Sequence, residues 1–257
     1  MGSLSKTGSI FYGTAIVVMG FLTIYYNDFP YFMLPQAHPR LPWFIVIGGI
    51  VLIAVGLCLV FGKKARQVSL LFSGLLLAIF CFYYVPCELF VSHNFLSAGE
   101  WENSEKELAL AGGALAIAGC FPGEDNNPVI RVLAKLIPAG AILFAITIVC
   151  FGILHFVFAK QASTLVPAWI PNHMFWIYFA GVALLASGIA IILKIKTRLA
   201  AILLGTMIFI WFIILHLPRV VASPAVDMFD ETASAFLALA YSGIAFVIAG
   251  NTTSGKT

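Results

Sequence analysis

Few side chains in this sequence could do chemistry, and those that could gather in its second half. His155 and His216 each stand near the end of a long apolar run. Arg219 follows His216, Trp169, His173 and Trp176 lie in the segment after His155, and Glu231 opens the last apolar run. Imidazole can donate, accept or bind a metal near neutral pH. Two histidines at one depth in a helical bundle could therefore bind a metal, coordinate a haem or hydrogen-bond a quinone head group. A metal needs more ligands, and no H-x-x-E-H or E-x-x-H spacing offers them. No metal site is expected, and no residue is assigned a catalytic role. The plainer alternative is that a histidine near a helix C-terminus satisfies free carbonyls and meets the helix dipole favourably. His155, His216, Arg219, Trp169, Trp176 and Glu231 are the candidate ligand-binding set.

The elements that must position these residues follow from composition. Of 257 residues, 61% are apolar and only 10% charged, with a mean hydropathy of +1.03. A soluble chain carries about 25% charged residues, so this one is expected to live in a bilayer. Crossing roughly 30 Å of hydrocarbon takes about 20 apolar residues. The runs near 9–27, 43–62, 67–87, 105–121, 135–159, 174–194, 198–217 and 232–250 are read as eight spans. The net charge of +3 is scattered in short clusters, with no basic stripe for a nucleic acid. No Walker A loop or G-x-G-x-x-G turn is present to bind a nucleotide.

Loop charges set the orientation. With the N-terminus inside, the basic clusters Lys63-Lys64-Ala65-Arg66 and Lys194-Ile195-Lys196-Thr197-Arg198 face the cytoplasm, as the positive-inside rule requires. Both termini are then cytoplasmic, and the candidate residues lie toward the outer face. Contact of the basic clusters with anionic lipid is a lesser alternative to this topological role. Glu100, Glu102, Glu105 and Glu107, around the start of span four, read as a solvated helix N-terminus. Trp43, Trp169 and Trp176, with Tyr31 and Phe32, fit an interfacial aromatic belt. The alternative is that the proline-bounded segments 30–42 and 165–173 cap a cavity. The five cysteines include no C-x-x-C; Cys81 and Cys87, six apart on one helix, are beyond disulfide reach.

Sliding the chain against itself finds a match at an offset of 132 residues. Gly20 meets Gly152, Pro35 meets Pro167, Pro39 meets Pro171, Gly49 meets Gly181 and Pro86 meets Pro218. The reading is a tandem of two four-helix units, 1–121 and 135–257, joined by a polar cytoplasmic linker at 122–134. An even number of spans per unit gives both the same orientation, so this is a parallel repeat. Two four-helix bundles lying side by side are expected, in an all-α membrane protein.

The second unit carries Gly152-Ile153-Leu154-His155-Phe156, then Leu165-Val166-Pro167-Ala168-Trp169-Ile170-Pro171 and Trp176. Gly181 through Gly188, the basic Lys196 and Arg198, and His216-Leu217-Pro218 follow. Over roughly 140–220 this pattern resembles the DoxX-like membrane proteins. The first unit fits the same frame more loosely, with Thr23 in the place of His155 and Tyr84 in that of His216. The resemblance implies a four-helix fold per unit and a bacterial inner membrane location. It also implies, for some members, association with quinol oxidase or thiosulfate:quinone oxidoreductase systems, hence redox partner proteins. Quinone is the cofactor expected ahead of haem. The functions in view are a membrane subunit of a quinone-linked redox system, or a non-enzymatic module that binds a lipid or small ligand or anchors partners. A transporter ranks third, because the middles of the spans lack the ionisable residues such pathways use. No independent catalytic activity is expected.

Overall fold

The computed structural model describes residues 2–34, 41–91, 98–123 and 127–252. Among these residues there is no strand. Helix α1 is Ser3–Tyr26, α2 Pro42–Phe61, α3 Ala65–Ile79, α4 Ala98–Ala118 and α5 Pro128–Ala134. Then come α6 Gly140–Val157, α7 Ala159–Ser163, α8 His173–Ile192, α9 Thr197–Trp211, α10 Leu217–Ala222 and α11 Met228–Asn251. Helix α3 runs on through wider π-helical turns at Phe80–Tyr84 and Cys87–Val91, and α9 through one at Phe212–His216 into α10. A 3₁₀ turn at Ile137–Ala139, carrying Pro138, leads into α6.

Among the described residues, seven helical stretches are long and apolar enough to cross a membrane: Ser3–Tyr26, Pro42–Phe61, Ala65–Phe90, Pro128–Val157, His173–Ile192, Thr197–Ala222 and Met228–Asn251. This is the pattern of a multi-pass membrane protein. Helix α4 is not among the seven, because its first half carries Glu100, Glu102, Glu105, Lys106 and Glu107. It is nonetheless central: Ala109, Leu110, Ala111, Ala114, Leu115, Ile117 and Ala118 are wholly buried. The expected linker is partly a helix. Asn127 caps α5 by accepting from the Val129 amide at 2.8 Å, and Pro128 opens it. Ile130 then packs against Leu70, Leu115 and Ala118.

The helices form a closed ring by their contacts: α1 on α2, α2 on α3, α3 on α4, α4 on α6, α6 on α8, α8 on α9, α9 on α11, and α11 back on α1. Helices α4 and α11 also touch across the middle. The first long helix of each half thus lies along the last helix of the other half, and the two halves interlock. Helix α11 is the hub, with 72% of its most apolar stretch buried against 28% for α2. The outward faces of α2, α8 and α9 carry Ile47, Ile50, Phe179, Val182, Leu199 and Leu203, all exposed, the apolar surface expected of helices that cross a bilayer.

Close approach at the crossings depends on glycine. A Cβ on Gly20 would lie 2.7 Å from the Gly49 carbonyl oxygen, which no real side chain tolerates. Gly8 on α1 and Gly243 on α11 meet in the same way. Small residues that let backbones touch are the usual basis of helix packing in lipid. Buried hydroxyls add interhelical hydrogen bonds. Tyr12 donates to the Leu110 carbonyl at 2.8 Å, Ser73 to Ala111 at 2.9 Å, Ser242 to Gly205 at 2.8 Å and Thr147 to Glu105 at 2.9 Å.

Candidate functional site

The starts of α4, α8 and α11 and the ends of α6 and α9 come together at one end of the bundle and enclose a cavity of about 620 Å³. That size falls within the roughly 300–1,000 Å³ of small-molecule sites. His155, Trp176, His216 and Arg219 all line it. Its body is apolar, with Phe151, Leu184, Ile208 and Leu237 among the wall residues.

His155 sits in the last turn of α6. Its Nδ1 lies 2.7 Å from the Phe151 carbonyl. A carbonyl only accepts, so Nδ1 carries the hydrogen, and in the neutral ring Nε2 presents a lone pair. His216 closes the π-helical turn of α9. Such a turn inserts one residue into a helix and is frequent at functional sites; here it ends on the residue that lines the cavity. His216 Nδ1 is buried without a hydrogen-bond partner, a group that protein interiors seldom leave unmatched.

Arg219 Nη2 pairs with Glu231 Oε1, joining α10 to the first turn of α11. Both side chains are about four-fifths enclosed, at 24% and 21% exposure. Glu231 does not line the cavity itself; it holds the guanidinium that does. Trp176 donates its indole N–H to the Pro171 carbonyl at 3.1 Å and sets its ring edge-on to Trp211, 5.9 Å away.

Trp169 is not part of this group. It is 66% exposed, because the turn at 165–172 buries Val166 and Ile170 against Ala159 and Ile177 and turns Ala168 and Trp169 outward. His173 opens α8 but does not line the cavity. The 165–173 segment is a compact turn, closed by the Ile170 amide on the Pro167 carbonyl at 2.9 Å, and Leu165 and Val166 form part of the cavity wall. Of the matching segment 30–42, residues 35–40, with His38, lie outside the described residues. Phe32 and Met33 before them are buried.

The first half supplies one wall that the sequence reading did not assign. Tyr31, Glu102 and Lys106 line the cavity. The Lys106 amine is 2.7 Å from Glu102 and 4.8 Å above the Tyr31 ring. Tyr31 shares a 2.9 Å hydrogen bond with Ser234 of α11, and Tyr241 donates to the Lys106 carbonyl at 3.3 Å. The acidic run on α4 is not solvated throughout: Glu102 is 42% exposed, Glu105 is half-buried, and the side chain of Glu100 lies outside the described residues. Glu107 is wholly buried, and neither of its carboxyl oxygens has a hydrogen-bond partner. The helix folds this way because α4 is enclosed by α3, α6 and α11, whatever its charge. Among the described residues no group of three or more His, Cys, Asp or Glu could hold a metal ion.

A family described as a domain of unknown function (DUF8561) matches residues 144–241. That segment runs from α6 into α11 and contains His155, Trp176, His216, Arg219 and Glu231. No curated protein and no solved structure matches the chain.

Proposed function

We propose that this protein is a DoxX-like, internally duplicated membrane protein that binds the head group of an isoprenoid quinone, as the membrane subunit of a quinone-linked redox system in a bacterial inner membrane. The observation that carries the reading is the convergence of His155 and His216, one with a free acceptor and one with an unmatched ring nitrogen, on a single apolar cavity. The residues fit such a group. The two imidazoles would hold the ring oxygens, Trp176 and Trp211 would flank the ring, and the apolar walls would take the first part of the tail. A bound quinone would supply two-electron redox chemistry. The chain's own residues orient it, exclude water and exchange hydrogen bonds at the two imidazoles.

An eight-span duplicated architecture belongs to the same proposal. Helices α3 and α9 start at Ala65 and Thr197 and end at Ile79 and Trp211, each pair 132 residues apart. The π-helical turns that follow, Phe80–Tyr84 and Phe212–His216, keep the same spacing. Both helices are preceded by a left-handed lysine, Lys64 or Lys196. With α4 as an eighth span, both termini and the basic turns lie in the cytoplasm and the cavity opens toward the outer leaflet.

The test is organic extraction and mass spectrometry of detergent-purified protein, followed by titration with a short-chain quinol read through tryptophan fluorescence. Stoichiometric quinone, and quenching weakened tenfold or more by His155→Leu or His216→Leu with unchanged thermal unfolding, is the expected result. A preparation holding phospholipid alone, with quenching indifferent to both substitutions, refutes quinone binding and leaves a lipid-binding module.

A further inference from the structure

The opposite end of the bundle holds a second, larger cavity of about 870 Å³, built where α4 and α11 end and α6 and α9 begin. Its inner wall is apolar, with Ile142, Ile191, Ile202 and Ile248. Its rim carries three cations, Lys194, Lys196 and Arg198, with the amide of Asn251 and the hydroxyls of Thr197 and Thr252 nearby. Among the described residues no carboxylate lines it. The change from apolar wall to cationic rim takes place within about one helical turn, between Ile191 and Lys194.

The backbone gives a second, independent sign. Lys194 and Lys196 are both left-handed, with φ of 57° and 46°, a conformation that glycine adopts without cost and other L-residues resist. The corresponding turn 132 residues earlier, at Gly62-Lys63-Lys64, uses glycine at the first left-handed position, with φ of 70°. In that half Arg66 donates to the Ala118 and Phe121 carbonyls. At the first of these two positions the second half therefore places Lys194 where the first half has Gly62, and Lys194 borders the cavity. Strain held at such a position points to a use for the side chain.

We infer that this cavity binds one anionic phospholipid, its phosphate on the Lys194–Lys196 rim and an acyl chain along the isoleucine wall. A free anion would have no use for the apolar wall, and a zwitterionic lipid would gain less than an anionic one from the two lysine ammonium groups at the rim. The inference stands apart from the quinone reading, since the two cavities occupy opposite ends of the bundle.

The experiment uses delipidated full-length protein in a mild detergent. Thermal unfolding is followed while phosphatidylglycerol, phosphatidylcholine or inorganic phosphate is added. Phosphatidylglycerol is expected to raise the midpoint by several degrees at concentrations where the other two leave it unchanged. Lys194→Asn with Lys196→Asn removes both charges, and asparagine suits left-handed backbone. This double variant should unfold normally in phosphatidylcholine and bind phosphatidylglycerol at least tenfold more weakly, whereas Lys63→Asn with Lys64→Asn keeps the full effect. Equal stabilisation by both lipids overturns the inference, as does equal stabilisation by inorganic phosphate. A phosphatidylglycerol effect lost equally in both double variants also overturns it, because that is the signature of general surface charge.

Discussion

The Arg219–Glu231 pair allows a quantitative test of how the cavity is held. Removing one partner of a fully buried pair costs about 3–5 kcal/mol, because the other charge is left uncompensated, whereas an exposed pair is worth about 0.2–1 kcal/mol. With roughly a fifth of each side chain still exposed, Arg219→Met should cost about 2 kcal/mol. Glu231 lies in the first turn of α11, so Glu231→Leu also loses its favourable place at the helix N-terminus, about 0.3–1 kcal/mol, and should cost about 2–3 kcal/mol. In the double variant no charge is stranded, and the net cost should fall to about 1 kcal/mol or less. The coupling is then about 3 kcal/mol. At about 2–4 °C per kcal/mol, the single variants should unfold roughly 4–12 °C below the parent and the double variant within about 4 °C of it. Thermal unfolding in detergent, followed through tryptophan fluorescence, reads all four proteins. Additive losses in the double variant would mean that the two side chains act independently, and the account of Glu231 as the support of Arg219 would be wrong.

Three further outcomes are expected. Glu107→Leu removes two orphaned buried oxygens, each costing about 1–3 kcal/mol when unmatched, so the variant should unfold at a higher temperature than the parent; a lower midpoint would reveal a partner for the carboxyl. Gly243→Leu forces a side chain into the α1 backbone at Gly8. It should lose stability at the upper end of the roughly 1–3 kcal/mol typical of overpacking, and a neutral result would show that α1 and α11 do not meet as described. Single cysteines at Lys63 and Ser163, in a background without the native cysteines, should react with an impermeant maleimide from opposite sides of the membrane. Labelling from the same side would mean that α4 does not cross.

Much of the site was legible because helix ends are. Once His155 and His216 are placed at the ends of two apolar runs of like direction, they must share a depth, whatever the packing. That Trp169 stays out of the cavity was not legible, because a turn has no simple period: only the fold decides that Val166 and Ile170 go inward and Trp169 outward. Tyr31, Lys106 and Glu102 were missed because they reach the cavity from the other half of the chain, through interlocking that local hydrophobicity does not encode. A signal did exist, since Glu102 and Lys106 are spaced for an i,i+4 pair in a chain with few charges. The burial of Glu107 had no such signal, because an acidic run at a helix start reads the same in water and in a core. The π-helical turn before His216 was equally hidden, since one inserted residue leaves no mark on composition.

The interlocked ring has a consequence for how the protein is made. Helix α1 is complete at Tyr26, yet α11, one of its two main neighbours, begins only at Met228. At about 5–20 residues per second, the ribosome needs roughly 10–40 s to make the intervening 200 residues or so. Throughout that interval the face of α1 that bears Gly8 lacks its final partner, Gly243 of α11. The chain must either shelter that face against lipid or a membrane chaperone, or hold α1 loosely on α2 until the last helix arrives. Closure of the ring is thus a late event, and a nascent chain stalled before Met228 would be a target for membrane proteases even with its other contacts formed.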